Sequence, residues 1–247
     1  MAHLYVAENL VETAVGSTVS MTGSEARHAS TVSRLRVGEN ILVTNGRGLM
    51  LSAHASVVEK DRVDLLVDEI SHVTPSAPNI TLVQALAKGD RDERAVEMAT
   101  ELGVSGIIPW QSARSISRWD GDKAAKGRER WQSIAREASK QSIRAWIPEV
   151  AAVSSTKQLL SDGFDGLTMV LDPSGSISVG AALSVYAVAA ERGIRVVVGP
   201  EGGLTDDEIV AFASSGAVII GLGDVILRTS TAGPAVIAVL NELLRRW

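Results

Sequence analysis

The stretch Gly199-Pro200-Glu201-Gly202-Gly203 and the later stretch Gly221-Leu222-Gly223 decide the fold class. Each follows a short run of β-branched residues, 195–198 or 217–220, and each precedes a segment with the composition of a helix. In an open α/β sheet, the loops that leave the carboxyl ends of the strands are where small ligands bind. We therefore expect the two loops to open on one edge of a sheet and to form a pocket built largely of backbone.

The first loop permits two interpretations. Thr205 and Glu208 form a capping box, which predicts a helix from about Asp206. The glycines let a ligand approach the main chain closely, but an ordinary turn would use glycine in the same way. A nucleotide phosphate site is disfavoured, because the chain has no Gly-Lys-Ser/Thr sequence and Glu201 would repel a phosphate.

The second loop ends in three hydroxyl residues, Thr229–Thr231, any of which could cap the closing helix. Arg228, beside them, is the only Lys or Arg between Arg195 and Arg245. An isolated arginine is either a solvated surface charge or a functional cation. Its place next to glycine loops favours the functional interpretation.

A linker with two prolines, Ser71–Asn79, predicts domains at residues 1–74 and 75–247. Beyond it, strand-like and helix-like segments alternate, which is the pattern of a mostly parallel α/β sheet. The predicted strands lie at 80–86, around 107–108, and at 167–171, 194–198 and 217–220, and the predicted helices at 91–102, 123–141, from 206, and at 232–245. On the helix 123–141, Trp131 is expected in the core rather than on a base-stacking surface.

Before the linker, short alternating runs separated by turn residues predict a small β-barrel or sandwich. One helix interrupts it, with Thr22 and Glu25 as its expected capping box. This helix is expected to carry four cationic or titratable side chains, Arg27, His28, Arg34 and Arg36. Such a face is usually only solvated, and contact with a nucleic-acid phosphate is the alternative.

Composition narrows the possible chemistry. The chain has 247 residues, 45% hydrophobic and 21% charged, and a formal net charge of −5. It has no cysteine, which excludes thiol nucleophiles and thiolate-held metals, and we expect no metal site. Its four histidines all lie within residues 1–74, which disfavours a Ser-His-Asp hydrolase in the later part. The sequence shows neither a membrane-span-length apolar run nor a signal peptide, so a cytoplasmic location is expected.

Several motifs together resemble the RsmE family of SPOUT-class methyltransferases. They are Val198–Leu204, Leu222-Gly223 with Ile226–Thr229, Ala87–Asp90, Ala99–Val104 and Gln141-Ser142-x-Arg144. The resemblance covers nearly the whole chain and is strongest from Leu86 onward. It implies methylation of uridine N3 in 16S rRNA with S-adenosylmethionine, a deep trefoil knot, a PUA-like N-terminal RNA-binding barrel and a homodimer. Composition and periodicity reveal no knot.

The resemblance also implies roles for individual residues. Arg228 is the expected catalytic residue, stabilising developing negative charge on uracil or orienting a phosphate. The main chain around Leu222, Gly223 and Leu227 is expected to bind the adenine of the cofactor. The first loop is expected to line the side of the pocket that binds the methionine and ribose. The full set expected to bind the cofactor is Leu171, Val198, Gly199, Pro200, Glu201, Gly202, Gly203, Leu222, Gly223, Ile226, Leu227, Thr229 and Thr231. The set expected to bind RNA is Arg27, His28, Arg34, Arg36, Lys88, Arg114, Gln141 and Arg144.

Three positions depart from the family pattern. Arg27 stands where the family usually has the first histidine of a pair, Lys140 stands where it often has an acidic residue, and Ser230 stands where it often has a glutamate. Residues 114–144 hold nine Lys or Arg against four Asp or Glu, a local excess that could track RNA phosphates despite the net charge. Modest basicity would suit a preference for an assembled 30S subunit over free RNA. The alternatives are a SPOUT methyltransferase for another RNA and a non-catalytic RNA-binding or ribosome-assembly protein.

Overall fold

The computed structural model describes residues 3–247 and divides the chain into two compact units. Met1 and Ala2, on which the interpretation of the N-terminus partly rests, lie outside the described residues. The N-terminal unit comprises Met1–Pro75 and the distant segment Ser139–Ile147, and the C-terminal unit comprises Ser76–Ala138 and Pro148–Trp247. Within residues 3–247, no helix is long and apolar enough to cross a membrane.

The N-terminal unit is a five-stranded, mostly antiparallel sheet in the order β1-β3-β4-β5-β2, with β1 parallel to β3. Its elements are β1 (Leu4–Val6), β2 (Thr18–Thr22), α1 (Gly23–Arg27), a π-helical turn (His28–Val32), β3 (Asn40–Thr44), β4 (Leu49–Val58) and β5 (Arg62–His72). Alternate residues of β4 are buried, which is the pattern expected of a strand with one face on a core. The predicted strands of this region are confirmed.

The predicted capping box at Thr22 is wrong. Thr22 is the N-cap of α1, but its side chain makes no capping hydrogen bond. Glu25 instead places Oε1 3.2 Å from Nζ of the buried Lys140 and Oε2 3.4 Å from the backbone amide nitrogen of Val6. A buried ammonium attracts the carboxylate more strongly than a solvated backbone amide does.

The helix is also shorter than expected. It becomes a π-helical turn at His28 and ends at Val32, so that Arg34 and Arg36 lie beyond it. Arg34 has a φ of 54°, in the left-handed region that a continuing right-handed helix does not use.

The C-terminal unit is a parallel sheet in the order β12-β10-β11-β6-β7-β8, with β9 paired to β7. Its strands are β6 (Ile80–Ala85), β7 (Gly106–Gln111), β8 (Glu149–Val150), β9 (Ser154–Ser155), β10 (Leu167–Leu171), β11 (Ile194–Val198) and β12 (Val218–Ile220). Its helices are α2 (Arg91–Glu101), α3 (Asp122–Gln141, whose last three residues belong to the N-terminal unit), α4 (Thr156–Ser161), α5 (Val179–Val185), α6 (Ala187–Arg192), α7 (Asp206–Ser214) and α8 (Thr229–Leu243).

Both faces of this sheet are buried, as parallel sheets require. Val196 and Val198 of β11 pack in one core, which includes residues of α2, α3, α5 and α8. Val197, which points the other way, packs in a second core with Leu159 of α4 and Phe212 of α7. Trp131 is in the first core as predicted, 1% exposed, and its ring meets that of Trp119 edge-on at 5.0 Å between centroids.

Candidate cofactor site

Three neighbouring strands of the C-terminal unit end at the same level. In the register of the sheet, Leu171 of β10 lies beside Val198 of β11 and Ile220 of β12. The loops that follow these strands therefore open on one edge, as the sequence predicted for the last two of them. The loop after β10, at Asp172–Gly175, was not anticipated.

These loops enclose a cavity of about 390 Å³. Of the residues predicted to bind cofactor, eleven line it: Leu171, Val198, Gly199, Pro200, Glu201, Gly203, Leu222, Gly223, Ile226, Leu227 and Thr229. Arg228 also lines it, whereas Gly202 and Thr231 do not. Lining residues that the sequence did not indicate include Arg91, Asp172, Pro173, Leu204, Val225 and Ala232.

The first loop is fixed at both ends. The predicted capping box is confirmed, because Thr205 accepts from the Glu208 amide while the Glu208 carboxylate accepts from the Thr205 amide. Arg114, predicted to bind RNA, donates from Nη1 to the carbonyl oxygens of Gly202 and Leu204, at 3.0 and 2.8 Å. Gly203 has a φ of 69°, which favours glycine. These contacts hold the loop in one shape at the wall of the cavity.

Glu201 is held ionised in this loop. Its Oε1 accepts from the Lys88 amide at 2.9 Å and from Nη1 of Arg91 at 2.7 Å. Burial by itself raises the pKa of this carboxyl, but hydrogen bonds from its own amide, the Lys88 amide and Arg91 outweigh burial and lower the pKa below its ordinary value. The cavity wall therefore carries an ionised carboxylate that is paired with Arg91, which also lines the cavity.

The second loop is kept close to the loop after β10. Gly221 donates its amide to the Ile177 carbonyl oxygen at 3.2 Å, and Asp172 donates its amide to Ile220 at 3.1 Å. A Cβ added at Gly221 would overlap the carbonyl oxygen of Gly175. Only glycine permits this approach of the two backbones.

The closing helix begins differently from the prediction. Its N-cap is Arg228, without a side-chain cap, and α8 already starts at Thr229, so Pro234 lies in the second turn. None of Thr229, Ser230 and Thr231 is the cap, because all three lie within the helix. The Thr229 hydroxyl instead donates a tertiary hydrogen bond to the Gly199 carbonyl oxygen at 2.7 Å. The Arg228 side chain is exposed at the cavity, and Ser230 is 8% exposed in the first helical turn.

The residues predicted to bind RNA fall into both units. Arg27, His28, Arg34, Arg36, Gln141 and Arg144 belong to the N-terminal unit, and Lys88 and Arg114 to the C-terminal unit. Within the N-terminal unit, the Lys140–Glu25 contact brings the last turn of α3 against α1, which carries Arg27.

These cations differ in how available they are to a ligand. Arg27 forms an exposed ion pair with Asp61, and the ring of His28 meets that of Tyr5 edge-on. Burial lowers the pKa of Arg144 to about 10. In the basic segment 114–144, at least four of the nine cations have partners within the protein: Arg114, Arg128, Arg130 and Lys140. The charge excess counted from sequence therefore overstates the cations left for a phosphate.

Comparison with known proteins agrees with this geometry. Residues 74–241 match the family model of the RNA methyltransferase domain. The ribosomal RNA small subunit methyltransferase E of Mycobacterium tuberculosis is 34% identical, covering 100% of this chain and 94% of that protein. The protein of that name from Bacillus subtilis is 36% identical, covering 92% of each.

Solved structures give the same result. The ribosomal RNA small subunit methyltransferase E of Neisseria gonorrhoeae, bound to S-adenosylmethionine, has a TM-score of 0.86 and 30% identity, covering 98% of both chains. A Legionella pneumophila methyltransferase in complex with the same cofactor has a TM-score of 0.84 and 28% identity, covering 98% of this chain and 96% of that one. The predicted fold class is confirmed, and the chain belongs to the ribosomal RNA small subunit methyltransferase E family.

Proposed function

We propose that this protein transfers a methyl group from S-adenosylmethionine to N3 of a uridine in 16S rRNA. The observation that carries the proposal is the cavity of about 390 Å³ formed by three strand-end loops with an exposed arginine, Arg228, at its edge. The enzyme class and the cofactor predicted from sequence are confirmed by the relatives, two of which bind S-adenosylmethionine in their solved structures.

The lining of the cavity suits this cofactor. A volume near 400 Å³ lies within the ~300–1,000 Å³ range of small-ligand pockets. Leu171, Leu222 and Leu227 offer apolar surface for a purine, and the glycine loops offer main-chain groups. Glu201, which is paired with Arg91, and Asp172 line the cavity with carboxyl oxygens that can accept hydrogen bonds from the ammonium group of this cofactor. The bound cofactor supplies an electrophilic methyl group.

The protein's own contribution is placement and charge. Methyl transfer requires the accepting nitrogen in line with the donor at about 3 Å, which rigid loops can provide. Uridine N3 must also lose its proton, so negative charge develops on the uracil oxygens. We assign Arg228 to stabilise that charge, because this exposed residue lines the cavity. Its backbone is fixed, since its carbonyl oxygen accepts hydrogen bonds from the Thr231 and Ala232 amides, at 2.8 and 2.9 Å.

The setting of the reaction is part of the proposal. We infer that the substrate is the assembled 30S subunit in the cytoplasm, since at least four of the nine basic side chains in the segment 114–144 are already paired within the protein. RNA binding is assigned to the residues around Arg34 and Arg36. A homodimer and a deep trefoil knot remain predictions from family resemblance, and a sedimentation measurement tests the first of these.

Mass spectrometry of rRNA nucleosides tests the proposal. A strain lacking this protein should lose 3-methyluridine from 16S rRNA and regain it when the wild-type gene is restored. Purified protein should bind S-adenosylmethionine by calorimetry and should methylate 30S subunits faster than short free RNA. An unchanged nucleoside profile would refute the assignment, and equal rates on both substrates would refute the 30S preference.

A further inference from the structure

Gln84 is a fully buried amide in the middle strand of the C-terminal sheet. It lies in β6 beside Val198 of β11 and is 0% exposed. Its Nε2 donates to the Thr229 hydroxyl at 2.9 Å and to the Ala85 carbonyl oxygen at 3.1 Å. Among residues 3–247, its Oε1 has no hydrogen-bond partner.

The surrounding groups fix the orientation of this amide. The Thr229 hydroxyl has one proton, which it donates to the Gly199 carbonyl oxygen at 2.7 Å. It can then only accept from Gln84, so Nε2 must face it. A flipped amide would also set Oε1 against the Ala85 carbonyl oxygen, where two acceptors would repel each other.

The resulting chain of hydrogen bonds joins three elements at the cavity. Gly199 is the first residue of the loop after β11, and Thr229 is the first residue of α8 and directly follows Arg228. Both Gly199 and Thr229 line the cavity, whereas Gln84 lies behind them. One hydroxyl therefore sets the spacing between the two glycine loops, and Gln84 sets the direction of that hydroxyl.

We propose that Gln84 is a positioning residue for methyl transfer, acting through Thr229 on the cofactor loop and on Arg228. The inference rests on the proposed function and extends it to a residue outside the cavity. Packing alone does not account for an amide here, because a buried acceptor without a partner opposes folding and an apolar side chain of equal length would not. The amide is accounted for by the hydroxyl that it orients.

A double-mutant cycle between Gln84→Met and Thr229→Val tests the inference. Gln84→Met keeps the length of the side chain and removes the amide, and Thr229→Val keeps the shape and removes the hydroxyl. Each variant should lower kcat/KM for S-adenosylmethionine about tenfold, with the KM for 30S subunits unchanged. Because both changes break the same chain of hydrogen bonds, kcat/KM of the double variant should also fall about tenfold rather than about a hundredfold.

Two further variants separate positioning from stability. Thr229→Ser keeps the hydroxyl and should retain most of the activity. Thr100→Val makes the same chemical change at another buried threonine, whose hydroxyl donates to the Val96 carbonyl oxygen in α2, and should leave the kinetics unchanged. Thermal unfolding of every variant shows whether lost activity merely follows lost folding.

The outcomes are distinct. Non-additive losses in kcat/KM, with rescue by Thr229→Ser, support the inference. Additive losses, wild-type turnover by Gln84→Met, or losses that track the melting temperature overturn it. If the wild-type protein neither binds S-adenosylmethionine nor methylates 30S subunits, the proposed function itself fails, whereas an additive cycle in an active enzyme removes only the role of Gln84.

Discussion

The cavity and the charged segment 27–36 present a ligand with different kinds of groups. The cavity is formed by the loops at the ends of three strands, whose level is set by the sheet register. The charged segment offers the exposed tips of long side chains on and after a short helix. Loops held by hydrogen bonds form a rigid surface shaped for one ligand, whereas exposed arginines adapt to a polyanion whose path varies.

The charged side chains of the two regions also differ in how firmly their partners hold them. At the cavity, Glu201 is fixed by two donors, and its pKa is lowered. In the charged segment, the Arg27–Asp61 pair is more than half exposed on both sides, and such pairs contribute little to stability. Substitutions at the cavity should therefore change turnover or stability strongly, and those in the charged segment should change RNA affinity modestly.

The largest expected effect is at Arg228. Arg228→Ala should lower kcat by about 10²–10³-fold, about 3–4 kcal/mol of transition-state stabilisation, because a preorganised donor is lost where charge develops. The helix start should survive, since the bonds at this residue involve its backbone carbonyl. Single-turnover methylation of 30S subunits measures the loss. Arg228→Lys keeps the charge and should recover part of the rate, and turnover near wild type in the alanine variant would remove Arg228 from the mechanism.

Glu25→Gln should have the next largest effect, on stability rather than on chemistry. The Glu25 and Lys140 side chains are only 12% and 7% exposed, and removing one charge leaves the other buried. We expect a loss of about 3 kcal/mol in the free energy of unfolding. Urea denaturation measures it.

Replacing both members of this pair is the matched control. Glu25→Leu combined with Lys140→Met removes both charges, so the double variant should be more stable than Glu25→Gln. If Glu25→Gln unfolds at the wild-type urea concentration, the ion pair is not a structural element of the N-terminal unit.

Gly221→Ala should produce a smaller loss of stability, confined to the C-terminal unit. The added methyl group would overlap the Gly175 carbonyl oxygen, and overpacking of this kind costs about 1–3 kcal/mol. Cofactor affinity should fall with stability, because the two loops must separate. Calorimetry and thermal unfolding measure the two effects.

Gly180→Ala is the matched control for Gly221→Ala. In α5 the new Cβ would meet only Leu243 Cδ1, at 3.8 Å, and alanine favours a helix over glycine. This variant should bind cofactor normally and be equally or more stable. Equal behaviour of the two variants would show that the close backbone approach is unimportant.

The sequence could predict the features that depend on local signals, but not those that depend on which elements are neighbours in space. Strand ends, glycine loops and the Thr205–Glu208 capping box are local signals, and the structure has them where the sequence placed them. Asp172 and Gln84 could not be found in this way, because their relevance depends on which strands lie side by side. Thr229 was misread as a possible cap since its hydroxyl bonds to Gly199, thirty residues away in sequence. The position of the linker placed residues 139–147 in the second domain, whereas the structure groups Ser139–Ile147 with the N-terminal unit. A linker marks one point in the chain and cannot show that a later segment joins an earlier unit.

The smallest expected effect is at Arg36, in the charged segment. Arg34 and Arg36 flank Leu35, which is 8% exposed, so the buried leucine turns both arginines toward solvent. Arg36→Ala should raise the KM for 30S subunits several-fold, leave cofactor affinity unchanged, and reduce the slope of log affinity against log salt by about 1, as expected for one lost phosphate contact.

Arg47→Ala is the matched control, because it removes the same charge from an exposed turn of the same unit. It should change neither the KM for 30S subunits nor the salt slope, because net charge alone does not determine a local contact. If both variants weaken 30S binding equally, RNA senses the overall charge of the N-terminal unit rather than the segment 27–36.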